Sequence, residues 1–294
     1  KRKSEIARAY KRVVIGLPQG LGNLSAAQAA VDFAEFLQLE LLAAFITDAE
    51  LFALADFPAV RELRIFDQQW QPLDVPRISR ELEDAATIAR KRFDESIASR
   101  TVKAAFDVLS GVEAIPALLH AGDIVAIVEP SHPGESITRQ FTALVDAAFE
   151  TAAAILIVPR RVARTSGPIM ALASSTDDAS IRVALKIAAA AKERLIVVAP
   201  AGALLPPEIT ADAERLGVSV EQLAASRADA FAPTPLRMSS QSRERLRVIA
   251  RQLLDGAPRL FSMLHGVPLL AVESEHTALA EAGQTRRSQS EDRE

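Results

Sequence analysis

Residues 12–46, RVVIGLPQGLGNLSAAQAAVDFAEFLQLELLAAFI, return in degenerate form as residues 167–200, GPIMALASSTDDASIRVALKIAAAAKERLIVVAP. Without gaps, Val14 pairs with Ile169, Ile15 with Met170, Leu17 with Leu172, Ser25 with Ser180, Ala29 with Ala184, Leu42 with Val197 and Ala44 with Ala199, every pair 155 positions apart. Each copy reads as a short apolar run, a turn rich in Gly, Ser, Asn or Asp, an amphipathic helix and a second apolar run. That succession is the signature of a βαβ unit, which demands a parallel sheet. A chain of 294 residues that is 49% apolar has material for two such cores. The expected domains are residues 11–162 and a shorter unit, residues 166–274, joined by the basic linker RRVARTSG, with a polar, disordered tail at 275–294.

Composition excludes several functions. Lys and Arg number 34 against 38 Asp and Glu, and aromatic residues make up 5% of the chain, so neither a phosphate-tracking groove nor a base-stacking platform is expected, and nucleic acid is not an expected partner. With no cysteine, disulfides, thiolate catalysis and cysteine-held zinc are ruled out, and a reducing, cytoplasmic setting is expected. The basic start followed by VVIGLPQGL has the outline of a signal peptide, but Pro18 and Gln19 break it and its repeat partner lies mid-chain, so it reads as a strand. No stretch approaches the ~20 apolar residues of a membrane-spanning helix, and no membrane association is expected.

In the first half, strands are expected at 13–17, 41–47, 101–108, 124–128 and 155–158. Helices are expected from Ser25, as cap, to 39, and at 81–99, 112–121 and 137–151. Residues 48–79 read as a covering loop or as a lid over a ligand. In the second half, strands are expected at 169–172, 195–199 and 268–272, with a helix at 180–191. The fourth strand there is either 230–233, with a last helix at 242–265, or 259–264. The first is favoured, because a parallel crossover from Leu264 to Val267 is too short. On that reading Arg243, Glu244, Arg245, Arg247 and Arg251 form the solvated face of a helix whose apolar stripe is Leu246, Ile249 and Leu253.

The strand and helix succession, the SAAQAAVDFA helix and the closing runs AILIVP and VPLLAV together resemble the universal stress protein superfamily in its tandem form. The resemblance covers residues 11–274. It implies two open, parallel, Rossmann-like α/β domains in tandem with strand order 3-2-1-4-5, the second abbreviated, packed through their last strands as an intrachain pseudo-dimer, with a homodimer also open. ATP-binding members carry an Asp at the end of the first strand and, after the fourth, a G-x-x-G loop followed nine residues later by G-S or G-T. Glycines let backbone N–H groups approach phosphates, and a helix N-terminus adds a favourable dipole. Here the Asp position falls on Pro18 and on Ala173, and the glycine positions of the first half fall near Val128, Ser131 and Phe141, with Thr142 at the hydroxyl position. Glu129 and Glu135 bring negative charge into that loop. In the second half Ala232, Pro233, Thr234 and Pro235 offer no glycine.

The candidate residues of a degenerate nucleotide pocket are therefore Gly20, Asn23, Ser131, His132, Gly134 and Thr142. Gly20, Gly22 and Asn23, like Ser174, Ser175 and Thr176, either line a pocket at the strand ends or form ordinary βα turns, with Ser25 and residues 177–180 as helix caps. His132 is a phosphate ligand or base, or else an exposed loop residue. His120 ends a helix and His265 sits in a last turn. No nucleophile elbow, zinc-protease motif or phosphate loop occurs. The expected function is non-enzymatic, with no metal or cofactor: a stress-response protein acting through a domain or dimer surface. The alternatives are an ATP- or AMP-binding switch built on Ser131, Gly134 and Thr142, and a nucleotidyl hydrolase or transferase, which the fold alone does not support.

Overall fold

The computed structural model describes residues 10–17, 24–47, 54, 60–64, 68–130, 134–225, 243–254 and 266–273. The first half supplies strands β1 (Arg12–Leu17), β2 (Glu40–Thr47), β3 (Arg61–Arg64), β4 (Gln69–Pro72), β5 (Ala104–Ser110), β6 (Asp123–Val128) and β7 (Ala154–Val158). Its helices are α1 (Leu24–Leu37), α2 (Val75–Ile97), α3 (Ile115–Leu118) and α4 (Arg139–Thr151). The second half supplies β8 (Ile169–Leu172), α5 (Ala179–Ala191), β9 (Leu195–Pro200), α6 (Pro207–Leu216), β10 (Val220–Ala225), β11 (Leu246–Ala250) and β12 (Leu269–Val272). Ten strands form one sheet in the order β10-β9-β8-β11-β12-β7-β6-β1-β2-β5, and β3 pairs with β4 apart from it.

Each half of this sheet is parallel and runs 3-2-1-4-5 when its own five strands are counted in chain order. The halves meet where β12 pairs antiparallel with β7, Leu269 opposite Ile157 and Val272 opposite Ala154. All residues of β6, β7, β8, β11 and β12 are buried, the near-continuous apolar pattern of strands covered on both faces. Alternate residues feed two cores. Val13, Ile15, Leu156, Ala171 and Val248 lie in one, and Val14, Val125, Ile157, Met170 and Ile249 in the other. Both cores cross the seam, so the halves share their hydrophobic interiors.

The helices follow from local sequence. In α1, Ala30, Val31, Phe33, Ala34 and Leu37 are buried, the three-and-four spacing of one apolar face. It ends where Gln38 turns left-handed at φ 57° and the Leu39 N–H donates to the Ala34 carbonyl, a reversal that closes the last turn. α5 ends the same way at Lys192, φ 56°. Ser25 stands inside the first turn of α1, which begins at Leu24. α2 begins six residues before the expected Glu81, with Pro76 in its first turn and the Asp74 side chain accepting from the Arg77 N–H; a proline is tolerated there because first-turn N–H groups have no partner within the helix. The hairpin β3–β4 occupies part of the stretch expected to be irregular.

The largest correction lies in the second half. The fourth strand is Leu246–Ala250, hydrogen-bonded between β8 and β12, and a short 3-10 turn, Arg251–Leu253, follows. The expected helix over 242–265 is therefore wrong, and so is the solvated face assigned to Arg247 and Glu244. Those two are buried, and their side chains pair, Arg247 Nη2 lying 2.6 Å from Glu244 Oε1. A five-residue apolar run interrupted by one arginine fits either period locally; the vacancy between β8 and β12 selects the strand. Residues 230–233, 259–264 and His265 lie outside the described residues.

A matching acid marks the first half. Asp123, 1% exposed, accepts from Arg12 Nε and Nη2 at 2.9 Å each and from the His120 N–H at 2.9 Å. Val14 faces Val125 and Ile169 faces Leu246, so Asp123 and Glu244 occupy equivalent places two residues earlier. Each half thus starts its fourth strand with a buried, arginine-paired carboxylate, a neutralised group that tolerates burial.

At the start of β8, Gly167 has φ +124°, and a Cβ there would lie 2.4 Å from the Arg243 carbonyl oxygen. Gly167→Ala should therefore destabilise the chain by at least ~2 kcal/mol, from backbone strain plus the clash. A urea titration showing an unchanged midpoint would contradict this.

Candidate functional site

In an open parallel sheet, the crevice for a ligand lies beyond the strand ends where chain order reverses. Here there are two such places, between β1 and β6 and between β8 and β11. Because the halves are antiparallel across the seam, these crevices open at opposite ends of the sheet.

Of the residues proposed for the first crevice, Gly20, Asn23, Ser131 and His132 lie outside the described residues, as does Pro18. Gly134 and Thr142 are described. Gly134 has φ −64° and ψ −27°, right-handed values open to any residue, so its conformation does not require glycine. It precedes a 3-10 turn, Glu135–Ile137, and Thr138 then caps α4 by accepting from the Phe141 N–H at 3.3 Å. Thr142 lies a turn further on, exposed, its hydroxyl shared between the Thr138 and Arg139 carbonyls at 3.2 Å each. Such back-bonding keeps a hydroxyl on its own helix. Glu129, directly after β6, accepts from the Arg160 N–H at 3.0 Å. Along β1, Gly16 lets α4 approach closely, since a Cβ there would lie 2.5 Å from Leu144 Cδ2.

The second crevice is described in more detail. Ala173, at the place of the acid, is 1% exposed and donates its N–H to the Val198 carbonyl at 2.9 Å. Asp178 caps α5. One of its oxygens accepts from both the N–H and the hydroxyl of Ser174 at 2.9 Å, the other from the Ser180 N–H at 3.0 Å. An internal carboxylate thus sits at a helix N-terminus, where the dipole and free N–H groups favour an anion. The turn-and-cap alternative for residues 174–180 is what the geometry displays.

Across this crevice stands Arg251, which sequence reasoning had placed on a solvated helix. Its guanidinium donates to the Phe149 carbonyl at 3.1 Å and to the Ala152 carbonyl, both at the C-terminal end of α4 in the other half. A cation there satisfies exposed carbonyls and complements the helix dipole. Tyr10, buried just ahead of β1, has its phenol pushed up to about 12, chiefly by burial, with Arg251 opposing and Glu273 adding to the shift. The LRVIA run followed directly by a cation was the available sequence signal for Arg251, but nothing local says that α4 of the other half ends beside it.

Among the described residues, no three His, Cys, Asp or Glu side chains are placed to hold a metal ion, and no helix is long and apolar enough to cross a membrane.

Arg251→Ala should cost about 1–3 kcal/mol, since two helix-end carbonyls lose their donor; urea unfolding measures it. The folded state holds the Tyr10 proton more tightly than the unfolded chain, whose phenol titrates near 10. That contribution is complete below pH 10 and lost as pH rises through about 12. Compared with Tyr10→Phe, the parent chain should lose stability across that window; parallel curves for the two would refute the assignment.

The chain matches no protein-family model and none of the curated proteins. Among solved structures, a universal stress protein from Archaeoglobus fulgidus DSM 4304 is similar with a TM-score of 0.59 and 10% identity, over 89% of this chain and 96% of that one. A putative universal stress protein from Pseudomonas aeruginosa UCBPP-PA14 gives a TM-score of 0.46 and 16% identity, over 92% and 95%. A universal stress protein in complex with cAMP gives 0.30 and 19%, over 52% and 98%. The first likeness rests on architecture and carries the conclusion: this chain has the fold of a universal stress protein.

Proposed function

We propose that the protein is a non-catalytic, universal-stress-type protein of the cytoplasm, acting through the surface of its paired halves rather than by turning over a nucleotide. The observation that supports this reading is the state of the groups a triphosphate would need. At the second crevice the Ser174 and Ser180 amides are engaged by Asp178, and Arg251 is turned toward the carbonyls of α4. A phosphate arriving there would meet a buried carboxylate, and displacing it would leave that charge unpaired at considerable cost. The loop after the fourth strand begins at Arg251 rather than at Ala232, so it is this engagement, together with Ala173, that argues against a nucleotide in the second half. At the first crevice Glu129 adds negative charge, Pro130 lacks an N–H, and the Thr142 hydroxyl is held by its own helix.

Calorimetry with Mg-ATP on the full chain tests the reading. The expected result is a dissociation constant no tighter than ~1 mM, about −4 kcal/mol, and native mass spectrometry should find no co-purifying nucleotide. Micromolar binding abolished by Gly134→Val would overturn it in favour of an ATP- or AMP-binding switch. Because Gly134 lies in a conformation that valine can adopt, such a loss would report contact with the ligand.

A further inference from the structure

Away from both crevices, a cavity of about 600 Å³ opens at the seam, between α1, the linker and the residues entering β11. Its volume is in the range of small-molecule sites. One wall is apolar: Phe33 and Phe36 meet edge to face, centroids 6.4 Å apart, with Leu156 and Val158 of β7 beside them. The Arg245 guanidinium lies 4.6 Å from the centre of the Phe36 ring, a favourable stacking of cation on π-face.

The charges of this cavity are unequal. Asp32, Glu35, Arg100, Arg164 and Arg245 line it. The two acids are already engaged: Arg100 bridges Asp32 at 2.7 Å and Glu35 at 3.0 Å, and the Thr101 N–H and hydroxyl donate to Glu35. Glu193, the other acid acting on Arg245, accepts from the Gly167 N–H at 3.0 Å. Arg245 is half-buried; its backbone N–H donates to the Pro168 carbonyl at 3.0 Å, but its guanidinium makes no hydrogen bond or ion pair with another described residue. Burial works against its charge and lowers its pKa, while Glu193 and Asp32 act the other way. Among the residues that line the cavity three cations face two acids, one positive charge in excess, over a wall built from two phenyl rings; Glu193 acts on Arg245 from outside that lining.

We propose that this cavity binds a small monoanion carried on a flat apolar body, an aromatic carboxylate in its simplest form, with the carboxylate on Arg245 and Arg164 and the ring against Phe33 and Phe36. A planar guanidinium matches a carboxylate in two-point geometry. A triphosphate would exceed the single net charge and meet Asp32 and Glu35. The site is independent of the reading of the two crevices, and either stands if the other fails.

The test is calorimetry of the full chain with 1-naphthoate, with 1-naphthalenemethanol as neutral analogue and inorganic phosphate as an anion without a body. Naphthoate should bind one to one, and the alcohol and phosphate at least tenfold more weakly. Arg245→Gln should weaken naphthoate at least tenfold and erase its advantage over the alcohol, while Arg245→Lys should retain part of that advantage. Equal binding of acid and alcohol by the parent chain, phosphate binding as tightly as naphthoate, no naphthoate binding at millimolar concentration, or full affinity in Arg245→Gln would each overturn the proposal. Should Arg245→Gln fail to fold, the comparison of acid with alcohol on the parent chain decides the matter, with Arg164→Gln on the linker as second variant.

Discussion

The structure depends on the antiparallel pairing of β7 with β12. Two parallel five-stranded sheets would each end in an edge strand that is apolar on both faces and carries unpaired N–H and C=O groups, a surface prone to association. Joining Ala154–Val158 to Leu269–Val272 removes both edges at once and lets the two cores run through the seam. The remaining edges, β5 and β10, carry polar and exposed positions such as Asp107, Glu221 and Gln222, as solvent-facing edges must.

That pairing also dictates the geometry of everything polar around it. Because the halves run in opposite directions, the strand ends of one lie beside the strand starts of the other. Arg251, beyond the end of β11, therefore reaches the C-terminus of α4, and Arg245, before the start of β11, stacks on Phe36 of α1. One short segment touches the first half from both of its ends. The positions that single-unit logic would reserve for ligand contact become contacts between halves, and a new cavity arises at the linker, where neither half alone has one wall and its charge together.

The halves have also diverged in the bonding of the loops after their strands. The second closes its first βα turn on Asp178, a built-in carboxylate at a helix N-terminus. The first turns Glu129 onto the Arg160 amide and lets Gly16 bring α4 down on β1. In the second half the amides of Ser174 and Ser180, before and at the start of α5, are satisfied from within by Asp178.

What the sequence determined by itself was local and repetitive. The runs that became β1, β2, β6, β7, β8, β9 and β12 were legible to within one residue at each end, and so was α5, because a buried strand and its following helix are written in neighbouring residues. The turn at residues 174–180 was legible as a cap for the same reason. Only the tertiary structure decided that LRVIA is a strand, since Arg247 can be buried only with Glu244 beside it and a place open between β8 and β12. It alone decided the roles of Arg245 and Arg251, whose partners Phe36, Phe149 and Ala152 are about one hundred or more positions away. Such contacts carry no periodicity and no motif; they exist because two parallel sheets meet head to tail along one shared pair of strands.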